Sequence, residues 1–121
     1  MNWIYIFIGG GIGSLLRYAL GLASIKFFPS TFPLGTFISN VLACFILGFI
    51  LYVLTDKLQQ YTWAHPLLLI GFCGGFSTFS TFSNETVQLF VNGNYLIAIL
   101  NITLSLLAGI GIIYYISTAN K

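Results

Sequence analysis

Charge is nearly absent from this chain. Four Lys and Arg against two Asp and Glu make up 5% of 121 residues, where a soluble domain carries about 25%. So few charges cannot clothe a water-facing surface. A net charge of +2 also leaves no basic patch for nucleic acid or an anionic surface. Two cysteines, Cys44 and Cys73, and a single histidine, His65, have no metal-ligand spacing. The thiols read as small core residues, and His65, beside Pro66 at a loop end, as a solvated side chain. The glycine run Gly9–Gly13 lies inside an apolar stretch with no strand before it, which makes it a helix-packing surface rather than a nucleotide loop. Neither a phosphate loop nor the carboxylate relay of a proton-coupled pump is found, and the chain does not read as an enzyme.

What it has is length without polarity. Hydrophobic residues reach 58% and the mean hydropathy is +0.98. Apolar runs cover Trp3–Phe28, Phe32–Leu54, Pro66–Val91 and Tyr95–Ile116, each longer than the roughly 20 residues that cross a ~30 Å hydrocarbon core as helix. The sequence thus predicts an all-α membrane protein, one domain over residues 1–121 with four transmembrane helices. The first run lacks a basic leader and holds Arg17, so it reads as a retained helix and not a signal peptide. Short loops are expected at Pro29–Thr31, Thr55–His65 and Asn92–Asn94. Pro33 and Pro66 suit helix starts and Asn92-Gly93 a turn. Gly9 with Gly13, and Gly71 with Gly75, form small-xxx-small pairs that let backbones approach closely.

Four spans put both termini on the side of the Asp56-Lys57 loop, with Lys57 and Lys121 there and Lys26 opposite. That imbalance is a weak instruction under the positive-inside rule, and insertion in both orientations is expected. Four helices cannot readily enclose a path, which predicts a homodimer. Oppositely inserted copies would be related by a two-fold axis in the membrane plane.

The third run is the most polar. Between Gly71 and Glu85 it carries Ser77, Thr78, Ser80, Thr81 and Ser83, then Asn84, interleaved with Phe76, Phe79 and Phe82. Unpaired polar groups in hydrocarbon cost several kcal/mol each, so this segment must face protein, water or an ion. Neither flank, Leu67–Cys73 or Thr86–Val91, crosses ~30 Å alone, which predicts a third helix broken mid-membrane. Gly74-Gly75 is the expected break, where unwinding would bare carbonyl oxygens as cation ligands. The alternative is an unbroken helix with every hydroxyl bonded to a carbonyl three or four residues back, which suits one hydroxyl better than five. Phe79 and Phe82 share a helical face beside Ser80 and Thr81. Positive ring edges and donating hydroxyls suit a small anion, though the same stripe also suits a core. Asn40, in the middle of the second run, offers two donors, or interhelical glue. Arg17 needs a partner such as Glu85, or an aqueous vestibule into which it would draw anions. Asn101 and Ser105, one turn apart in the fourth run, could continue a polar lining.

Gly71–Glu85 closely resembles the signature of the Fluc fluoride channels, also called camphor-resistance B proteins. The resemblance extends through Gly9–Tyr18, through Pro33–Thr36 with Asn40 and Gly48, and through Asn101–Gly109. It implies an antiparallel, dual-topology homodimer in the bacterial cytoplasmic (inner) membrane, with two fluoride pores and one central structural sodium ion. By position, Phe79 and Phe82 resemble the paired pore phenylalanines and Asn40 the pore asparagine. Ser80, Thr81 and Ser105 would line the path, Arg17 would sit in a vestibule, and the backbone carbonyls of Gly74 and Ser77 match the sodium ligands, two from each chain. Ser77 stands where threonine is commoner, and Asn101 where some members have tyrosine, so no pore role carries over to Asn101. The implied work is passive export of cytoplasmic fluoride. Its partners would be fluoride, the lipid bilayer and a second copy, with no nucleic acid. Rival readings are a small proton-coupled multidrug exporter, which relies on a first-span glutamate where this chain has Arg17, and a non-transporting assembly subunit, which leaves the hydroxyls unexplained.

Overall fold

Long apolar runs set the helices here, and a few prolines and turns set their ends. The computed structural model describes residues 2–29 and 31–119. Helix α1 spans Asn2–Phe27. Helix α2 (Leu34–Tyr52) begins straight after Pro33, whose missing N–H would be unbonded in a first turn anyway. The next loop holds a single turn, α3 (Thr55–Leu58), where the sequence predicts none. A π-helical segment, His65–Cys73, with Pro66 in its first turn, runs into one α-helical turn, α4 (Gly74–Phe76). Helices α5 (Phe79–Val91) and α6 (Tyr95–Ala119) complete the chain. Between them Gly93 takes φ 83°, a conformation glycine enters without a Cβ clash. Among the described residues every regular element is helical.

Four stretches are long and apolar enough to cross a membrane: Asn2–Phe27, Leu34–Tyr52, His65–Val91 and Tyr95–Ala119. Their ends fall within a few residues of the sequence expectation. Even the 19 residues of α2 give about 28 Å at 1.5 Å per residue. Ser30 of the first loop and Lys121, which the charge tally uses, lie outside the described residues.

Packing is led by glycine. A Cβ on Gly9 would strike the Leu67 carbonyl, and one on Gly13 the Phe72 carbonyl. On the facing element, a Cβ on Gly75 would lie 2.9 Å from Gly10 Cα. Thus α1 meets the π-helical segment and α4 backbone to backbone, at both predicted small-residue pairs. On its other flank α1 packs on α2, α2 packs on α6, and α6 on α5. The largest fully buried side chains among the described residues are the polar Asn101 and Ser39, while Trp3, Phe7 and Leu15 are among many large apolar groups left exposed. Lipid is as apolar as leucine, so helix association selects small residues and polar bonds rather than apolar burial.

One expectation fails in its position. The backbone at Gly74 is helical (φ −64°, ψ −36°), and α4 carries both Gly74 and Gly75. The extended residues are Ser77 (φ −96°, ψ 157°) and Thr78 (φ −153°, ψ 127°). Gly75 serves close approach to α1, and the non-helical backbone falls at Ser77 and Thr78, where side chains bond the backbone.

Candidate functional site

Thr78 is the hinge of the polar segment. Its N–H, which in a continuous helix would bond the Gly74 carbonyl, instead donates to Asn40 Oδ1 at 3.1 Å. Its hydroxyl accepts the Thr81 N–H at 3.4 Å and lies 3.1 Å from Ser80 Oγ. Thr78 is therefore the N-cap of α5, an arrangement typically stabilising by about 1 kcal/mol. Just before it, Ser77 Oγ donates to the Cys73 carbonyl at 3.0 Å, the back-bond that the unbroken-helix alternative assigns to every hydroxyl. Thr86 repeats that bond, to Phe82 O at 2.8 Å.

The bond to Thr78 consumes the oxygen of Asn40. Its Nδ2 makes no hydrogen bond among the described residues, so two N–H donors stand beside Thr78. Phe79 and Phe82 follow on the first turn of α5, ring centroids 6.1 Å apart and inclined by 42°. Within one protomer Phe79 is 79% exposed and Phe82 half-buried. Asn40, Thr78, Ser80, Thr81 and the two rings thus form one cluster across α2 and the start of α5.

Arg17 stands elsewhere. Its Nε donates to the Gly75 carbonyl at 3.2 Å, one of the oxygens released where helical bonding stops. It forms no ion pair with Glu85, contrary to one sequence expectation. Arg17 is fastened to the backbone beside the interruption, whereas Glu85 lies on α5 beside Thr36, with Oε1 buried and unpartnered. Glu85 borders a groove of about 520 Å³ that Gln88, Asn92 and Asn94 also line. His65 is exposed and both thiols are free.

Ser105 belongs to a third group. Its hydroxyl donates to Asn101 Oδ1 at 3.4 Å, and Asn101 Nδ2 donates to Thr86 Oγ1 at 2.9 Å. Sequence reasoning missed Thr86, Ser39 and the particular role of Thr78. Thr86 falls one turn after Phe82, and Thr78 three residues before Thr81, a capping spacing. Ser39, fully buried with Oγ unpartnered, gave no signal beyond being next to Asn40.

The cluster offers N–H and O–H donors and ring edges close to an apolar surround, with the acid Glu85 bordering the groove apart from it. Such a donor set is chemically suited to a small anion. Residues 4–116 match the family described as CrcB-like protein, Camphor Resistance (CrcB). The chain belongs to the CrcB family. Among similar proteins, the Fluoride-specific ion channel FluC of Phocaeicola vulgatus is 46% identical over 92 residues, 76% of this chain and 75% of that one. Its namesake from Flavobacterium psychrophilum is 41% identical over 106 residues, covering 88% and 86%. That from Solibacter usitatus is 36% identical over 115 residues, covering 95% and 94%. These CrcB relatives are channels by name and not enzymes, and with four membrane-crossing helices this CrcB chain is a multi-pass membrane protein.

Proposed function

We propose that this chain is a fluoride-selective channel through which cytoplasmic fluoride leaves passively, reducing its toxicity. The observation that carries the reading is the bond from Thr78 N–H to Asn40 Oδ1. It commits the amide oxygen to the backbone and leaves Nδ2 as a donor beside the Thr78 and Ser80 hydroxyls and the Phe79 ring. Asn40, Phe79, Ser80, Thr81, Phe82 and Ser105 would line the path, with Arg17 at a vestibule. A small anion surrenders much of its water on entering so narrow a route, and fixed N–H, O–H and ring-edge groups replace it. The name shared by the relatives supplies the ion. Purified protein in liposomes is expected to release fluoride rapidly, while chloride leaves no faster than from protein-free vesicles. Chloride release at a comparable rate would defeat this reading.

The working unit in this proposal is an antiparallel homodimer of oppositely inserted copies in the bacterial cytoplasmic membrane, with the third span interrupted mid-membrane at Ser77-Thr78. The exposure of Phe79 supports it, since a pore ring needs a second wall. The carbonyls of Gly74 and Ser77, two from each copy, would hold a sodium ion at the centre, where it would act as a structural tie. Their chemistry fits. Gly74 O loses its helical donor when Thr78 N–H turns to Asn40, Gly74 is exposed, and carbonyl dipoles can replace the water of a monovalent cation. Ser77→Ala is expected to leave dimer melting within a few degrees of wild type. It deletes only a second bond to Cys73 O, which Ser77 N–H already reaches at 3.1 Å, and it keeps the carbonyl.

A further inference from the structure

Helix α5 is short, 13 residues, and the extended Ser77-Thr78 pair separates it from the helix before it. At its far end a tight turn ties α5 to α6 through Asn94 N–H to Leu89 O at 2.8 Å, but at its start no helical continuity fixes the rotation that decides where the Phe79 and Phe82 rings point. Two amide side chains from neighbouring helices take hold of it. Asn40 of α2 grips the start, through Thr78 N–H. Asn101 of α6, 1% exposed, grips two turns further on through Thr86, 7% exposed.

The second grip has only one polarity. A hydroxyl owns a single proton, and Thr86 gives its own to the Phe82 carbonyl at 2.8 Å. The bond between Asn101 and Thr86 must then run from Nδ2 to Oγ1, which turns Oδ1 away to accept from Ser105. Ser105, Asn101 and Thr86 donate in turn along one directed chain of hydrogen bonds that ends on the Phe82 carbonyl as acceptor, running from α6 to the backbone of a proposed pore ring. In a low-dielectric interior such chains reinforce each other and tolerate no missing member.

We propose that Asn101 is a positioning residue for ion conduction: acting through Thr86, it latches the rotation of α5 and so sets the aim of the Phe82 ring. It touches neither ring nor ion. The proposal rests on the channel reading, and its test includes a measurement that does not need flux.

Asn101→Leu and Thr86→Val each remove one member of the chain and with it two of the three bonds, the bond between Asn101 and Thr86 being lost in both, and leave a polar partner in hydrocarbon. Each is expected to lower fluoride efflux per assembled dimer roughly tenfold, the effect of about 1.4 kcal/mol on a barrier. The double variant should lose no more than the worse single one, since both links serve one latch. Thr86→Ser, which keeps the hydroxyl, should recover the flux lost in Thr86→Val. The 19F resonance of 4-fluorophenylalanine placed at position 82 should move in both single variants and return in Thr86→Ser. Losses that multiply in the double variant, or an unmoved resonance at 82 with flux intact, would overturn the latch. Wild-type protein that carries no fluoride would defeat the channel reading alone, and the resonance would still decide for or against the latch.

Discussion

Fluoride efflux is expected to fall at least roughly tenfold when Phe79 or Phe82 is replaced by isoleucine, while the proposed dimer stays folded. The rings stand 6.1 Å apart at 42°, and Phe79 is 79% exposed within its own protomer. Isoleucine keeps comparable bulk and lipophilicity but has no quadrupole, so the positive edge that would face the anion in the proposed pore is lost. An aromatic edge contact is worth up to about 1.5 kcal/mol between neutral rings, and 1.36 kcal/mol on a barrier is already tenfold. A full charge in a dry path raises the stake, which makes tenfold the floor. Efflux from liposomes normalised to dimer content checks it, with size-exclusion elution confirming assembly. Undiminished flux in both variants would return the rings to a packing role.

The second large effect separates two adjacent glycines. Gly75→Val yields no folded protomer, because its Cβ would stand 2.9 Å from Gly10 Cα and no rotamer relieves a clash with backbone. The cost exceeds the roughly 1–3 kcal/mol of ordinary overpacking, since α1 must move bodily. Gly74→Val leaves the protomer intact. Nothing lies within 4 Å of its Cβ, its φ and ψ are helical, and the local penalty is only the few tenths of a kcal/mol of a β-branched residue in a helix. What Gly74→Val should lose is dimerisation, because the open side of Gly74 is where the proposed partner and its cation would sit. Helical content by circular dichroism and mass by light scattering distinguish the cases. A Gly74→Val protein that dimerises normally would remove the central cation site from this position.

The four spans were legible because hydropathy alone sets them, and the small-residue pairs were legible because close approach in lipid has few other solutions. The location of the interruption was not. Glycine marks both flexibility and proximity, and a single sequence does not say which; Gly75 turned out to meet Gly10. The extended backbone lies at Ser77 and Thr78, where the Thr78 N–H bonds Asn40 on another helix, and a bond spanning 38 positions leaves no local trace. The same limit hid the pairing of Asn101 with Thr86. The pairing of Arg17 with Glu85 was one expectation that followed from scarcity of charge, but the guanidinium bonds the Gly75 carbonyl instead.

The burial of Asn101 and Ser39 beneath an exterior of phenylalanine, leucine and isoleucine also has a thermal consequence. Unfolding of a soluble domain wets apolar surface and raises the heat capacity by about 12–15 cal/mol/K per residue, which bends its stability curve into a dome. Pulling these helices apart in a bilayer exchanges helix contact for lipid contact and wets almost nothing apolar. The heat-capacity change of that separation is close to zero, so stability in the bilayer declines along a nearly straight line with temperature. The fold then has no optimum to fall away from on cooling, and the cold limit that hydration imposes on water-soluble proteins does not apply to it.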